Sequence, residues 1–301
     1  MNSKAICVYL DDSDKMEEEF SWLYKTWILN DLENDFDLVV FYNPSAEKRL
    51  EKFDGIVKYE MPYVRYSEKY KFLNSHYFCL PKYSKCLEKY EYILKTDCDV
   101  FLTHNIKNYI PSKFLVGQGG YYNTADKEAL RAIQSIADLL GYSNGAGKFN
   151  ACGASFFGKT NQVLQVVQLQ AYLTERILDL FDSMSIKEVG TLHKGVSSMI
   201  AGEIVINSVF THQHISLYVL DNKCWETATI GSDVIHIHAW HSRLKWSKHD
   251  YFDEKYKDWK VKKINIYDNA ANYCHWIATS SIEEIRKNKN IWRKYVNKAS
   301  K

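Results

Sequence analysis

Three Asp-x-Asp pairs occur in the chain, Asp12/Asp14, Asp35/Asp37 and Asp97/Asp99. With 19 Asp in 301 residues, about one such pair is expected by chance, so surroundings decide which carries chemistry. The first two lie in polar sequence and read as solvated charges. The third follows the apolar run Tyr92-Ile93-Leu94 and precedes Val100-Phe101-Leu102. Two carboxylates between apolar segments are either desolvated at a cost of several kcal/mol or face a cation. On a continuous strand, alternation would put both on one side, the geometry that one ion needs. Hard divalent ions take carboxylate oxygens and share their shell with substrate phosphates, so Asp97 and Asp99 suit Mn²⁺ or Mg²⁺ held jointly with a diphosphate. The competing reading is a pair of strand-end aspartates that cap the following turn.

A second constellation is His236-Ile237-His238-Ala239-Trp240-His241, in which His236 and His238 share one face of a predicted strand. An Asp/Asp/His set suits Mn²⁺ better than Mg²⁺. The same imidazoles could equally be satisfied by hydrogen bonds within a core. Arg243, Lys245 and Lys248 follow, a cationic cluster able to neutralise a departing diphosphate, or else a solvated loop. Glu203 lies inside an apolar helical stretch one turn before Asn207. A carboxylate there could bind acceptor hydroxyls or act as general base, or could simply sit on a helix surface.

The elements that must position these residues alternate between strand-like and helix-like segments. Strands are predicted at 5–10, 36–41, 55–59, 91–102, 114–122, 150–158 and 234–239. Helices are predicted at 16–30, 69–90 with an interruption near Pro81, 127–140, 162–184, 196–210 and 281–295. Strands separated by helices imply right-handed crossovers and a mostly parallel, helix-covered sheet, an α/β fold. The carboxyl end of a central parallel strand, where Asp97 and Asp99 fall, is where such sheets bind ligands. No repeat or linker is evident, so one domain over 1–250 with a helical extension over 251–301 packed on it is expected.

Composition excludes several function classes. Hydrophobic residues make up 46% and charged residues 25%, which excludes a disordered chain or a coiled coil. A net charge of +2 provides no electrostatic signal for nucleic acid. No apolar run approaches the ~18 residues of a membrane span. The basic residues of 282–301 could touch an anionic membrane peripherally, or form a solvated helix. Seven scattered cysteines without C-x-x-C spacing, and an amino terminus without a signal-peptide pattern, lead to the expectation of reduced thiols and a cytoplasmic location. Aromatic content of 15% would serve sugar or base stacking, or a tyrosine-rich core.

Taken in order, the strand at 5–10, Leu94-Lys95-Thr96-Asp97-Cys98-Asp99-Val100-Phe101, Gly153-Ala154-Ser155-Phe156-Phe157-Gly158 and the late His236-Ile237-His238 strand resemble the metal-dependent glycosyltransferases of the GT-A fold. The resemblance covers about residues 4–250. Within it, 65–74 followed by Lys95-Thr96-Asp97 is similar to sugar transferases of large algal viruses.

The resemblance implies a Rossmann-type sheet and a nucleotide-diphosphate sugar, a UDP-sugar, as co-substrate with a glycan or other hydroxyl acceptor. Its diphosphate would bridge to Mn²⁺ held by Asp99, with Asp97 on the metal or the ribose. His238 is the first choice for the late ligand and His236 the second. Leu10 and Asp11 would border the nucleobase. Tyr70, Lys71 and Asn74 would reach base, ribose or phosphate, with Lys95 and Lys245 also on the donor side. Gly153, Ala154 and Ser155 would lie beside the transferred sugar. Neither a Lys-Pro-Trp nor a Trp-Asp-Glu signature is present, and the late histidine favours retention of anomeric configuration. A sugar nucleotidyltransferase would use the same acidic pair, but the loop after the first strand, Asp11-Asp12-Ser13-Asp14-Lys15, is acidic and lacks glycine. A zinc hydrolase on His236, His238 and His241 would leave Asp97 and Asp99 unexplained. A non-catalytic sugar-binding module would not require the buried acids.

Overall fold

A computed structural model describes residues 2–119, 127–142, 150–188, 192–217, 219–223, 230–231, 233–239, 246–260 and 269–299. Its strands are β1 (Lys4–Leu10), β2 (Phe36–Tyr42), β3 (Val57–Glu60), β4 (Tyr92–Lys95) and β5 (Val100–Leu102), then β6 (Phe114–Gln118), β7 (Cys152–Lys159), β8 (Ile215–Ser216), β9 (Asn222–Lys223) and β10 (His236–His238). The helices are α1 (Asp14–Leu29), α2 (Asn74–Tyr77), α3 (Pro81–Ser84), α4 (Lys127–Leu139) and α5 (Thr160–Asp182), then α6 (Ser197–Val209), α7 (Lys248–Phe252), α8 (Ala270–Thr279) and α9 (Ile282–Ala299).

Seven strands form the central sheet in the order β3-β2-β1-β4-β7-β6-β8. The sheet is mostly parallel; β7 runs antiparallel to both β4 and β6. Strand β1 lies between β2 and β4 and is buried along its whole length, which is why it reads as an unbroken apolar run. Its alternate residues serve two cores. Ile6, Val8 and Leu10 face the side of α1, α8 and α9, while Ala5, Cys7 and Tyr9 face that of α5 and α6. The expected α/β architecture, helices on both faces and a helical carboxy-terminal region, is the one observed.

Two predicted elements differ. The segment 69–90 is no single helix but a series of 3-10 turns with the short α2 and α3. Pro81 opens α3, since its ring and missing N–H suit a helix's first turn and not its interior. The predicted strand 91–102 is also broken. After Lys95 the chain turns through Asp97-Cys98-Asp99 and re-enters as β5 in a second sheet, order β5-β10-β9. The Asp-x-Asp pair therefore lies on a turn joining two sheets, and strand alternation is not what orients it. Of the other two pairs, Asp12 and Asp14 are solvent-exposed charges, as expected, whereas Asp35 and Asp37 are partly buried framework contacts. Arg49 reaches Asp12 and Asp14 at 2.6 Å each, Lys4 reaches Asp35 at 2.7 Å, and Asp37 accepts from the Tyr90 hydroxyl at 2.8 Å.

Much of the aromatic content is spent on the core beside the second sheet. Trp22 of α1 stacks on Phe101 of β5 at 5.4 Å and meets Trp246 and Tyr251 edge-on at 5.5 and 5.3 Å. Burying one such ring is worth about 1.5–3 kcal/mol. The cluster anchors the start of α7. Helices α8 and α9 join the same core: the Tyr273 hydroxyl donates to Leu102 O at 2.6 Å, and Trp292 Nε1 donates to Asn30 Oδ1 at 3.0 Å. Cys7, Cys79, Cys86, Cys98, Cys152 and Cys274 are free thiols, and Cys224 lies outside the described residues. Among the described residues, no helix is long and apolar enough to cross a membrane.

The basic tail is partly consumed internally. Arg286 pairs with Asp54, Lys289 with Asp31 and Glu33, and Arg293 with Asp31, so these cations help to dock α9. Asp31 also takes Lys107 at 2.9 Å. Burial alone would raise its carboxyl, but hydrogen bonds from Lys289, Lys107 and Arg293 hold it well below the usual carboxylate range. Its backbone is left-handed (φ 61°), which asparagine tolerates. Asp31→Asn should therefore cost about 1–3 kcal/mol at pH 7 by taking the anion from Lys107 and Arg293 and leaving Lys289 only Glu33. A group with a depressed native pKa stabilises above its unfolded pKa of about 4 and loses that contribution as pH falls toward the native value. The gap between thermal melts of variant and wild type should thus begin to narrow below about pH 4; a deficit constant from pH 7 to pH 3 would contradict this account.

Candidate metal centre

The centre is assembled where the two sheets part. Lys95, the last residue of β4, is fully buried and donates from Nζ to Ala154 O at 2.8 Å, with Asp97 Oδ1 3.7 Å away. Thr96 Oγ1 and Ser155 Oγ share a 2.8 Å hydrogen bond, Cys98 Sγ donates to Tyr9 O at 3.2 Å, and Ala239 N donates to Asp99 O at 2.9 Å. The turn is thereby tied to β1, β7 and the end of β10. Antiparallel pairing of β10 with β5 sets His238 opposite Val100, one residue from Asp99. Asp97, Asp99 and His238 consequently bring ligand atoms within 4.8 Å of one another. His238 Nε2 lies 3.0 Å from Asp99 Oδ1, and Lys248 Nζ lies 2.7 Å from Asp99 Oδ2 and 3.0 Å from Glu19 Oε1.

Burial is the largest single influence on each group here, but neighbouring charges together outweigh it at Asp99, His238 and Lys248. It would raise Asp99, but the His238 and Lys248 cations reverse the shift and hold Asp99 well below the usual range. Asp97 has no such close cation. Burial raises it, Lys95 opposes and Asp99 adds to the rise. Burial also lifts Glu19, helped by Asp99 and opposed by Lys248, to about 7. Burial would lower His238, yet Asp99 and Asp221 raise it well above an ordinary histidine. Lys248 is likewise raised, by Asp99 and Glu19 against its burial. Four carboxylates thus share one small volume.

Two carboxylates and an imidazole nitrogen are the mixed donor set that Mn²⁺ accepts. Bonds of about 2.0–2.2 Å let one ion bridge donors up to about 4.4 Å apart, close to the span found here. The donors therefore fit a divalent cation, which would take the place of the proton between His238 and Asp99.

The cleft beside this cluster has a volume of about 300 Å³. Asp11 and Lys71, the aromatic rings of Tyr9 and Phe72, and Glu19 and Lys248 line it together with the cluster. Asp11 accepts from the Tyr63 hydroxyl, and Lys71 Nζ sits 5.1 Å over the Tyr63 ring. Of the other residues expected at the site, several lie elsewhere. Leu10 is a fully buried core residue. Tyr70 turns its hydroxyl to Asp182 of α5 at 2.9 Å, an exposed contact. Asn74 is buried beneath the cleft, donating to the Tyr9 hydroxyl at 3.0 Å. Lys95 lies under the turn as described. Gly153, Ala154 and Ser155 form the wall behind the acidic turn rather than a face of the cleft. Lys245 lies outside the described residues.

Glu203 is neither a helix-surface residue nor a base in the cleft. It is fully buried and accepts from Asn150 N at 2.6 Å, Cys152 N at 3.1 Å and Asn207 Nδ2 at 3.1 Å, fastening the start of β7 to α6. His236 is also displaced from the ligand set. Its Nδ1 accepts the Asp221 backbone N–H at 3.2 Å, which leaves the proton on Nε2, 3.7 Å from Asp221 Oδ1. Burial lowers this imidazole to about 4.

Two residues emerge only from the structure. Glu19 belongs to the acidic run Glu17-Glu18-Glu19 of α1, whose members are alike in sequence. Asp221 is fully buried behind His238, with His238 Nδ1 3.1 Å from its Oδ1. The available signal was a single acid directly after the apolar pair Val219-Leu220.

The family model described as a domain of unknown function (DUF7164) matches residues 1–298, and the chain belongs to that family. No curated protein matches it.

The geometry separates the two histidines experimentally. His238→Ala should weaken Mn²⁺ binding by about tenfold or more, since one of three protein donors is lost. His236→Asn should leave it within about threefold, because that ring faces Asp221 and not the cluster. Calorimetric titration with Mn²⁺ checks both, and the reverse ranking would make His236 the ligand.

Proposed function

We propose that this member of the DUF7164 family is a metal-dependent glycosyltransferase of GT-A type, moving a sugar from a nucleotide-diphosphate donor to a hydroxyl acceptor. The observation that carries the proposal is the convergence of Asp97, Asp99 and His238 beside Lys248. They converge at the carboxyl edge of a mostly parallel sheet, in the wall of a cleft. The compatible sheet, the acidic turn after β4 and the late histidine support the GT-A assignment together.

Asp97, Asp99 and His238 would hold the ion, Mn²⁺ in preference to Mg²⁺ because of the imidazole. A divalent cation bound there would neutralise the donor's diphosphate and the charge that develops on it as the glycosidic bond breaks. Lys248 supplies a second, permanent positive charge at the same place, fixed by Glu19 and by the aromatic cluster around Trp246. Elsewhere in the cleft, Asp11, held by the Tyr63 hydroxyl, and Lys71 would offer hydrogen-bonding groups to an uncharged nucleoside such as uridine, with the rings of Tyr9 and Phe72 also in the lining. Asp99 and His238 are nearly inaccessible to solvent, while Asp97 is partly exposed to the cleft. The acceptor is a glycan or other hydroxyl compound, and transfer with retention remains the favoured course.

Purified protein should release UDP from a UDP-sugar in Mn²⁺ and stop when EDTA is added. Asp99→Ala should abolish that release and metal-supported UDP binding while the protein keeps its fold. Activity supported by zinc alone, or indifferent to EDTA, would favour a hydrolase. Lys248→Met preserves the length and packing of the side chain without its charge. It should lower turnover by about 10²-fold, the usual effect of removing one group that stabilises developing negative charge. Single-turnover assays should place that loss in kcat, and unchanged turnover would remove Lys248 from the leaving-group side.

A further inference from the structure

We propose that Asp221 is the positioning residue of the metal centre: its carboxylate fixes the proton of His238 on Nδ1, so that the Nε2 lone pair is directed at the ion. The inference rests on the metal-centre reading above and adds to it a residue outside the ligand set.

Asp221 is placed with unusual closeness. Its side chain is fully buried, and its backbone adopts φ 53°, a left-handed conformation that aspartate and asparagine tolerate best among non-glycine residues. Oδ2 accepts the Ser155 backbone N–H at 3.3 Å. Oδ1 accepts the Ser155 hydroxyl at 2.6 Å and faces His238 Nδ1 at 3.1 Å. Thr96 Oγ1, 2.8 Å from Ser155 Oγ, completes a short chain from the acidic turn back to Asp221. Room for the carboxylate exists only because two neighbours lack side chains. A Cβ on Gly117 would fall 1.8 Å from Oδ2, and one on Gly153 would fall 2.5 Å from it. These small residues therefore receive Asp221, which explains Gly153 and Ser155 behind the site without a sugar beside them.

An imidazole that ligates through Nε2 must carry its proton on Nδ1, and a carboxylate at Nδ1 enforces that tautomer and adds to the ring's basicity. Asp221→Asn tests the assignment with little change of shape. The Ser155 N–H can only donate, so the amide oxygen must take the Oδ2 position and the NH₂ group the Oδ1 position. That NH₂ donates to Ser155 Oγ, whose own proton then turns to Thr96, and to His238 Nδ1. Ser155 and His238 both keep a hydrogen bond, while the His236 Nε2–H, 3.7 Å from the Oδ1 position, faces an amide NH₂ instead of a carboxylate oxygen. His238 is driven to the Nε2–H tautomer, which cannot bind metal through Nε2.

The experiment uses the full chain and Mn²⁺ alone. Expected for Asp221→Asn is a melting temperature near wild type, Mn²⁺ affinity lower by about 10–100-fold, and loss of the directly bound ¹⁴N coupling that pulsed EPR detects in wild type. In a His238→Ala background the same substitution should change Mn²⁺ affinity no further, because Asp221 acts through that ring. Wild-type affinity and ¹⁴N coupling in Asp221→Asn, or a full additional loss in the His238→Ala background, would overturn the positioning role and leave the metal centre standing. Absence of Mn²⁺ binding or of ¹⁴N coupling in the wild type would overturn the centre and this inference with it. Should Asp221→Asn fail to fold, Ser155→Ala removes the hydroxyl that orients Oδ1 while keeping the carboxylate. A several-fold loss of affinity supports the role there, and unchanged affinity overturns it.

Discussion

The carboxylate of Asp99 cannot lie buried without cations, and much of the surrounding structure satisfies that requirement. An unpaired carboxylate at this depth would cost several kcal/mol. His238 reaches one oxygen and Lys248 the other. The histidine comes from the pairing of β10 with β5, the lysine from a short helix held by rings on α1 and β5. Elements distant in sequence thus meet because one charge must be matched from two sides. Such a cluster, with Glu19 lifted to about 7, combines opposed shifts in close contact, as functional sites characteristically do.

The framework was legible in the sequence wherever burial left a simple pattern. Strand β1 is apolar throughout because both of its faces are covered, and the Asp97/Asp99 pair was conspicuous because apolar residues flank it. The break of 91–102 into strands of two different sheets was not legible, since Val100-Phe101-Leu102 continues the same composition. Only tertiary pairing assigns those residues to β10.

Individual site residues were harder to read, for the same physical reason. Glu203 looked like a candidate base because an acid in an apolar helix is unusual. It is there to satisfy two backbone N–H groups that the start of β7 leaves without sheet partners. Tyr70 sits near the right place in sequence, but the 3-10 turns rotate it toward α5 and leave Lys71 facing the cleft. Asp221 offered only its place after an apolar pair, because its partners Gly117, Gly153, Ser155 and His238 come from three separate strands. Of the aromatic residues, open to a sugar-stacking reading, Trp22, Phe101, Trp246 and Tyr251 pack against one another instead.

The acidic turn is also the hinge between the seven-stranded and three-stranded sheets, with Asp97 on the larger sheet's margin and His238 within the smaller one. A cation gripped from both sides would rivet the two layers together. Occupancy and the cohesion of the small sheet then become a single equilibrium. At an ion concentration one hundred times the dissociation constant, mass action adds about 2.7 kcal/mol to the folded state. An ion bound there would double as part of the protein's skeleton, and its supply would tune how firmly the molecule is built.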